Sequence, residues 1–140
     1  MTTPDRSGWR VLVIEDDGLI AMDISDTLDQ LGHVVVGPMR TVESALATID
    51  NQVVDLALLD VNLSNGETSY PIAEVLSKRG VPFAFLTGYG EADLDGSFRG
   101  QPVISKPIGE KILSETLRNL SPTRFGTAPF PITTISKNDT

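Results

Sequence analysis

The chain has 140 residues, enough for one domain with a substantial core and too few for two ordinary domains. Hydrophobic residues make up 40% and charged residues 21% of it, which indicates a globular protein rather than a disordered or fibrous one. The formal net charge of −8 argues against nonspecific binding to nucleic acid. Cysteine is absent, which excludes disulfides, a thiolate nucleophile and a cysteine zinc site.

Residues 1–10 lack the apolar core of a secretory signal, and no apolar run approaches the roughly 20 residues of a membrane span. We therefore expect a cytoplasmic protein with neither a membrane nor a nucleic acid as a partner.

Short apolar runs and segments of helical period alternate along the chain. The runs have the length of strands buried on both faces, and they cover residues 10–15, 33–37, 54–60, 81–87 and 101–106. The first helix ends at Gly32 and has Asp17 as its capping residue, whereas Thr41 caps the second. A third helix is predicted from Pro71 to Gly80. Five strands separated by crossover segments predict a three-layer α/β sandwich with a parallel sheet.

The last predicted helix covers residues 108–120. Its apolar stripe consists of Ile112, Leu113, Leu117 and Leu120. Between the fourth and fifth strands, residues 88–101 contain four glycines, so any helix there is expected to be short or irregular. We expect one domain over residues 8–120, with terminal segments 1–7 and 121–140 that form no separate domain.

Polar side chains follow four of the five predicted strands. They are Glu15, Asp16 and Asp17 after the first, Asp60 after the third, Thr87 after the fourth and Lys106 after the fifth. Ligands of such sheets bind at the carboxyl ends of the strands. A cluster of carboxylates there favours a hard divalent cation such as Mg²⁺, and the ammonium and the hydroxyl add the charge neutralisation that phosphoryl transfer requires. This chemistry points to Asp60 as a phosphoryl acceptor.

Four motifs in the same order and spacing resemble the receiver domain of two-component response regulators. They are VLVIEDD, LALLDVNL, FLTG and ISKP, and the resemblance covers about residues 9–120. It implies a (βα)5 doubly wound sheet of flavodoxin-like strand order 2-1-3-4-5. It also implies that the protein is not an enzyme but a phosphoacceptor signalling domain with only self-catalysed phosphorylation and dephosphorylation.

The resemblance also implies a role for each site residue. Asp60 would be phosphorylated and would also bind Mg²⁺, Asp16 would bind the ion directly and Glu15 would bind it through water. The backbone carbonyl of Asn62 would complete the protein's metal ligands. Thr87 would bond a phosphoryl oxygen, and Lys106, which precedes a proline whose peptide bond is often cis in the family, would pair with the phosphoryl group.

A narrower resemblance involves residues 83–91, FAFLTGYGE, which are similar to the segment that names the FAT GUY subgroup of mostly single-domain receivers. Leu86 stands here where the subgroup has alanine. The aromatic switch position of the family, three residues before the lysine, is Val103. Tyr89 is therefore the candidate switch residue.

We expect a single-domain response regulator that receives its phosphoryl group from a sensor histidine kinase or a histidine phosphotransfer protein. Its output would be contact with a downstream protein, although a role as a phosphate sink or phosphorelay intermediate is equally compatible, and the domain would be a monomer or a weak dimer. One alternative is a small phosphohydrolase resembling the haloacid dehalogenase superfamily, although the D-x-D nucleophile motif of that superfamily is absent after the first strand. A phosphorylation-independent binding module is the other alternative.

Overall fold

Strands and helices alternate along the chain in the predicted order. The computed structural model describes residues 8–88, 94, 96–98 and 100–120. Its elements are β1 (Arg10–Ile14), α1 (Gly18–Gln30), β2 (Val34–Met39), α2 (Val42–Asn51), β3 (Leu56–Asp60), α3 (Tyr70–Lys78), β4 (Phe83–Thr87), a 3-10 helix (Gly96–Phe98), β5 (Val103–Ser105) and α4 (Glu110–Leu120). The terminal segments 1–7 and 121–140 and the switch candidate Tyr89 lie outside the described residues.

The five strands form one parallel sheet in the order β2-β1-β3-β4-β5. This result confirms the predicted three-layer architecture and the flavodoxin-like strand order. Asp60, the last residue of β3, pairs with Leu86 of β4, and Thr87 pairs with Ser105 of β5. Because the pairing is parallel and nearly unshifted between these strands, their carboxyl ends lie side by side at one edge of the sheet.

Alternating side chains of the central strands pack on opposite faces of the sheet. In β1, Leu12 and Ile14 join the apolar cluster beneath α2 and α3, whereas Val11 and Val13 join the cluster beneath α1 and α4. Every residue of β3 and β4 is buried. The three central strands are thus held from both sides, which makes their ends a rigid platform.

The prediction that all five strands are buried on both faces is wrong for the two edge strands. Val34 of β2 and Val103 of β5 are 46% and 40% exposed. Each edge strand has only one neighbouring strand, and the helices above and below the sheet cover it incompletely. The predicted stripe of the last helix needs a similar correction, because Ile112 is 50% exposed while Leu113 and Leu117 are buried.

Helix boundaries follow local side chains. The carboxylate of Asp17 accepts hydrogen bonds from the amides of Leu19 and Ile20, and the hydroxyl of Thr41 accepts one from the amide of Ser44. Both predicted caps are confirmed. The third helix begins at Tyr70 rather than Pro71, and the last begins at Glu110 rather than at residue 108.

An aromatic cluster anchors the described part of the segment between β4 and β5. Phe98 belongs to the 3-10 helix, which occupies the place of the predicted short or irregular fourth helix. Its ring stacks on that of Tyr70 with centroids 5.1 Å apart and meets the ring of Phe85 edge-on at 5.8 Å. Among the residues described, no helix is long and apolar enough to cross a membrane.

Gly37 gives the backbone an irregular conformation near the end of β2, beside the edge of the sheet where the carboxyl ends of the strands lie. Gly37 has a φ of 106°, and the register between β1 and β2 shifts next to it. The shift lets the carbonyl of Met39 accept a hydrogen bond from the amide of Glu15 at 3.0 Å. A side chain at Gly37 would place its Cβ 2.8 Å from the amide nitrogen of Met39.

We expect Gly37→Ala to lower the free energy of unfolding by about 2–4 kcal/mol, because positive φ and a backbone clash act together. The matched control is Gly66→Ala, where φ is 87° but no atom lies within 4 Å of the added Cβ. The free energy of unfolding of that variant should fall by only about 1 kcal/mol. Urea denaturation of both variants measures the difference, and equal losses would contradict the role assigned to the clash.

Candidate functional site

The polar residues at the ends of β1, β3 and β5 make direct contact. The ammonium Nζ of Lys106 lies 2.7 Å from Oε1 of Glu15 and 3.3 Å from Oδ2 of Asp60. Lys106 directly follows β5, Glu15 follows β1 and Asp60 ends β3. The sheet therefore brings together three of the residues that the sequence singled out.

Both carboxylates of this contact are withdrawn from water. Glu15 is 1% exposed and Asp60 is 7% exposed. Two buried carboxylates repel each other, and each loses its hydration, so a cation between them is needed to compensate. Lys106 supplies one positive charge for two negative ones, and the group carries an excess of negative charge when all three are ionised.

Burial and this charge imbalance both act on the ionisation of Asp60. Burial, reinforced by the negative charge of Glu15, raises the pKa of Asp60 to about 7 against the opposing attraction of Lys106. For Lys106 itself, burial disfavours the ammonium, but the hydrogen bond to Glu15 and the charges of both carboxylates outweigh it. The pKa of Lys106 is therefore raised, and the ammonium stays charged at neutral pH.

Asp16 extends the acidic group toward solvent. Carboxylate oxygens of Glu15, Asp16 and Asp60 lie within 4.8 Å of one another, which is close enough for one cation to contact all three. Burial acts to raise the pKa of Asp16, but hydrogen bonds from Ser64 outweigh it and lower that pKa. The ionised carboxylate of Asp16 at the rim, next to the buried carboxyl groups of Glu15 and Asp60, offers the oxygen ligands that a hard divalent cation prefers.

Two residues that the sequence analysis did not single out fix the position of Asp16. The amide of Ser64 donates a hydrogen bond to Oδ2 of Asp16. Nη2 of Arg40 donates one to the backbone carbonyl of Asp16 at 3.1 Å. The Asn65-Gly66 pair is a turn signal that could have indicated a tight turn at Ser64, but no local pattern places that turn against β1.

The remaining predicted site residues lie at the same edge of the sheet. Thr87 is 5% exposed at the end of β4, and its carbonyl accepts a hydrogen bond from the amide of Lys106 at 2.8 Å. Asn62 is exposed two residues after Asp60, where it forms an isolated antiparallel bridge with Thr68. The Lys106–Pro107 peptide bond is cis, as the resemblance implies.

The raised pKa of Asp60 predicts how the stability of the metal-free protein depends on pH. In the unfolded chain Asp60 ionises near pH 4, whereas in the folded protein it keeps its proton up to about pH 7. The folded state therefore binds more protons between these values, and the contribution of Asp60 to the free energy of unfolding falls as pH rises from 4 to 7. Asparagine does not ionise, so Asp60→Asn should not show this fall in the free energy of unfolding.

We expect the free energy of unfolding of Asp60→Asn to equal that of the wild type near pH 4 and to exceed it by about 1–4 kcal/mol at pH 7.5 without metal. Mg²⁺ should reduce this difference in stability, because the ion stabilises the ionised carboxylate that only the wild type has. Denaturant titrations at several pH values measure it, with Asp26→Asn on the exposed face of α1 as the control for removal of one charge. A difference that does not change with pH would contradict the assignment.

A family model described as the response regulator receiver domain matches residues 11–118. The phyllosphere-induced regulator PhyR of Methylorubrum extorquens is 36% identical over 102 residues, which are 70% of this chain and 38% of PhyR. The match thus covers well under half the length of this curated relative.

Solved structures also resemble the chain. SdrG of Sphingomonas melonis Fr1 is 40% identical with a TM-score of 0.74, and the match covers 81% of this chain and 97% of SdrG. The BeF3-activated conformation of SdrG, from Pseudomonas melonis Fr1, is 41% identical with a TM-score of 0.70 over 79% and 94% of the two chains. The anti-anti-sigma factor PhyR of Bartonella quintana is 29% identical with a TM-score of 0.68 over 79% and 46%.

The likeness to SdrG and PhyR is consistent with the FAT GUY resemblance of residues 83–91. The family model covers most of the chain, and the strand order and the acidic edge agree with it. The chain belongs to the response regulator receiver domain family.

Proposed function

We propose that the protein is a response regulator that accepts a phosphoryl group on Asp60 and signals by a change of its protein-binding surface. The observation that carries the proposal is the contact of the Lys106 ammonium with the buried carboxylates of Glu15 and Asp60. A phosphoryl acceptor needs a carboxylate in a site with little water and a fixed positive charge beside it. Asp60 meets both conditions.

The proposed site includes Mg²⁺, which would supply charge neutralisation for the phosphoryl oxygens when bound. Asp16 and Asp60 would bind the ion directly, Glu15 would bind it through water, and Asn62 would provide its backbone carbonyl. The close approach of the three carboxylates supports this assignment. The amide of Ser64 holds the Asp16 carboxylate at the rim of the site, where a cation enters from solvent.

The phosphoryl transfer would proceed by in-line displacement. An ionised oxygen of Asp60 forms the new bond to phosphorus while the bond from phosphorus to the donor breaks, and the donor leaves with the electron pair of that bond. With phosphohistidine as the donor, the bond that breaks joins phosphorus to an imidazole nitrogen. Hydrolysis would remove the phosphoryl group: the oxygen of a water molecule bonds to phosphorus, the bond from phosphorus to the Asp60 oxygen breaks with its electron pair on the carboxylate, and inorganic phosphate leaves while the protons of the water pass to the phosphate and solvent.

Phosphorylation would rearrange the interactions of Lys106 and Thr87. The phosphoryl group adds negative charge and three strong acceptors beside them, so the ammonium shares its contacts among more oxygens and the hydroxyl gains a new acceptor. Thr87 ends β4, and residues 88–101 follow it directly. A movement of Thr87 would therefore pull on this segment, in which Tyr89 remains the candidate switch residue.

The proposed partners are a sensor histidine kinase or a histidine phosphotransfer protein as the donor and a downstream protein as the target. The existence of a BeF3-activated conformation of SdrG supports signalling by a change of conformation. A PhyR of Bartonella quintana is called an anti-anti-sigma factor, which supports output by protein contact. We propose that the receiver domain covers residues 8–120 and acts in the cytoplasm as a monomer or a weak dimer.

We expect wild-type protein to incorporate phosphate from a small acyl phosphate such as acetyl phosphate when Mg²⁺ is present. Asp60→Asn should incorporate none, because the nucleophile is missing, and removal of Mg²⁺ with a chelator should abolish the reaction in the wild type. Intact-protein mass measures the adduct. Asp26→Asn, which removes an exposed carboxylate of α1, is the matched control and should react as the wild type does.

Folded wild-type protein that takes up no phosphate would refute the proposal. The phosphohydrolase alternative predicts sustained turnover of a generic phosphate monoester, whereas a receiver that takes its phosphoryl group from phosphohistidine or an acyl phosphate predicts no hydrolysis of that monoester. A binding module that does not depend on phosphorylation predicts neither adduct nor turnover.

A further expectation concerns the hydroxyl of Thr87. Thr87→Val has nearly the same shape without the donor, and it should slow incorporation of phosphate by about tenfold or more, because a hydrogen bond to a phosphoryl oxygen is lost. Thr87→Ser retains the hydroxyl and should stay within about threefold of the wild type. Time courses of the adduct measure both rates, and equal rates for the two variants would exclude the proposed role.

A further inference from the structure

The connection between β3 and α3 is a small hairpin rather than an irregular loop. We call residues 61–69 the β3–α3 hairpin. The amide of Leu63 donates to the carbonyl of Glu67 at 2.9 Å, and the amide of Ser69 donates to the carbonyl of Val61 at 3.0 Å. Val61 and Leu63 are buried in the cluster beneath α2 and α3. The hairpin is therefore anchored to the core on its inner side.

A tight turn closes the hairpin. The amide of Gly66 donates to the carbonyl of Leu63 at 3.1 Å, and Gly66 has a φ of 87°. A turn followed by a glycine of positive φ is a common closure of hairpins with three-residue loops. Ser64 occupies the second position of this turn, and its amide is directed away from the hairpin toward β1.

Two side chains attach the hairpin to neighbouring elements. Oδ2 of Asp16 accepts a hydrogen bond from the amide of Ser64. Oε1 of Glu67 accepts one from the side-chain amide of Asn65 at 2.8 Å and one from the backbone amide of Val42 at 3.3 Å. Val42 is the first residue of α2. The hairpin thus bridges the acidic edge of the sheet and the start of a helix.

We propose that Ser64 and Glu67 are positioning residues for the divalent cation and that the β3–α3 hairpin sets its affinity. This inference rests on the proposed function, since the cation is the one assigned to that site. The amide of Ser64 holds one oxygen of Asp16 and so restricts rotation of the other. Glu67 keeps the hairpin, and with it the backbone of Asn62, in a single position against α2.

The physical reason is preorganisation. A free aspartate at the rim would sample several rotamers, and binding of the ion would have to select one of them. A hydrogen bond to a metal-binding carboxylate removes much of this cost, and loss of such partners typically weakens metal affinity by 10- to 100-fold. Because Ser64 and Glu67 belong to one hairpin, their effects should not be independent.

The test compares Ser64→Pro with Ser64→Ala by calorimetric titration with Mg²⁺. Proline is favoured at the second position of such a turn, so the first variant removes the amide hydrogen while keeping the backbone. Alanine keeps that hydrogen and removes only the hydroxyl, which also lowers the pKa of Asp16 by a hydrogen bond, so the difference between the two variants reports the amide. We expect Ser64→Pro to weaken Mg²⁺ binding by about tenfold and Ser64→Ala to lose clearly less.

A second pair of variants examines Glu67. Glu67→Ala should weaken Mg²⁺ binding by about threefold or more, whereas Glu67→Gln keeps an acceptor oxygen and should restore most of the affinity. In the double variant Ser64→Pro with Glu67→Ala, the loss should be smaller than the product of the two single losses. Full additivity would refute the statement that the hairpin acts as one unit.

Hydrogen exchange of the metal-free protein provides a readout that is independent of activity. Asp16→Ala should speed exchange of the Ser64 amide by about tenfold, because the acceptor of that amide is lost. Unfolding curves establish that each variant is folded. If the wild type binds Mg²⁺ and Ser64→Pro binds it equally well or more tightly, the inference fails and the proposed function stands. If the folded wild type binds no Mg²⁺, both fail.

Discussion

The site depends on one ammonium held between two buried carboxylates. Glu15 and Asp60 come from strands that are adjacent in the sheet, so their side chains cannot avoid each other once β1 and β3 pair. Lys106 reaches them from the far side of β4, and it is the charge that makes the burial of both tolerable. A buried pair of anions with only one cation retains an excess of negative charge. Burial, reinforced by the charge of Glu15, raises the pKa of Asp60, and the excess of negative charge gives this edge of the sheet its capacity for a divalent cation.

The scaffold makes this contact possible because, in each central strand, the residues that pack in the core precede the polar residues of the site. Apart from Arg10 at the start of β1, the strands β1, β3 and β4 consist of apolar residues that two helical layers cover until polar residues appear at their carboxyl ends. The parallel register then fixes which strand ends meet. Local features adjust the result, since the irregular backbone at Gly37 brings the carbonyl of Met39 to the amide of Glu15. The β3–α3 hairpin holds Asp16 from the other side.

Sequence patterns predicted the interior of the molecule better than its edges. The central strands could be recognised because residues buried on both faces produce an uninterrupted apolar run. The edge strands have equally apolar sequences, yet Val34 and Val103 are substantially exposed. Apolar character does not reveal whether a strand has one neighbour or two. The same limitation applies to helices. Ile112 was predicted to belong to the buried stripe of the last helix, yet it is half exposed, because an apolar side chain is buried only where another element packs against it.

The sequence by itself determined the order of the elements, their caps and the types of residue at the strand ends. Those features are local, because they depend on period, on turn residues and on side chains a few positions apart. Only the tertiary structure decided that Lys106 contacts both Glu15 and Asp60 and that an amide 48 residues away in the chain holds Asp16. Contacts of that kind depend on strand register and on the path of a connection. No local pattern encodes either of them, because both result from the packing of the whole sheet.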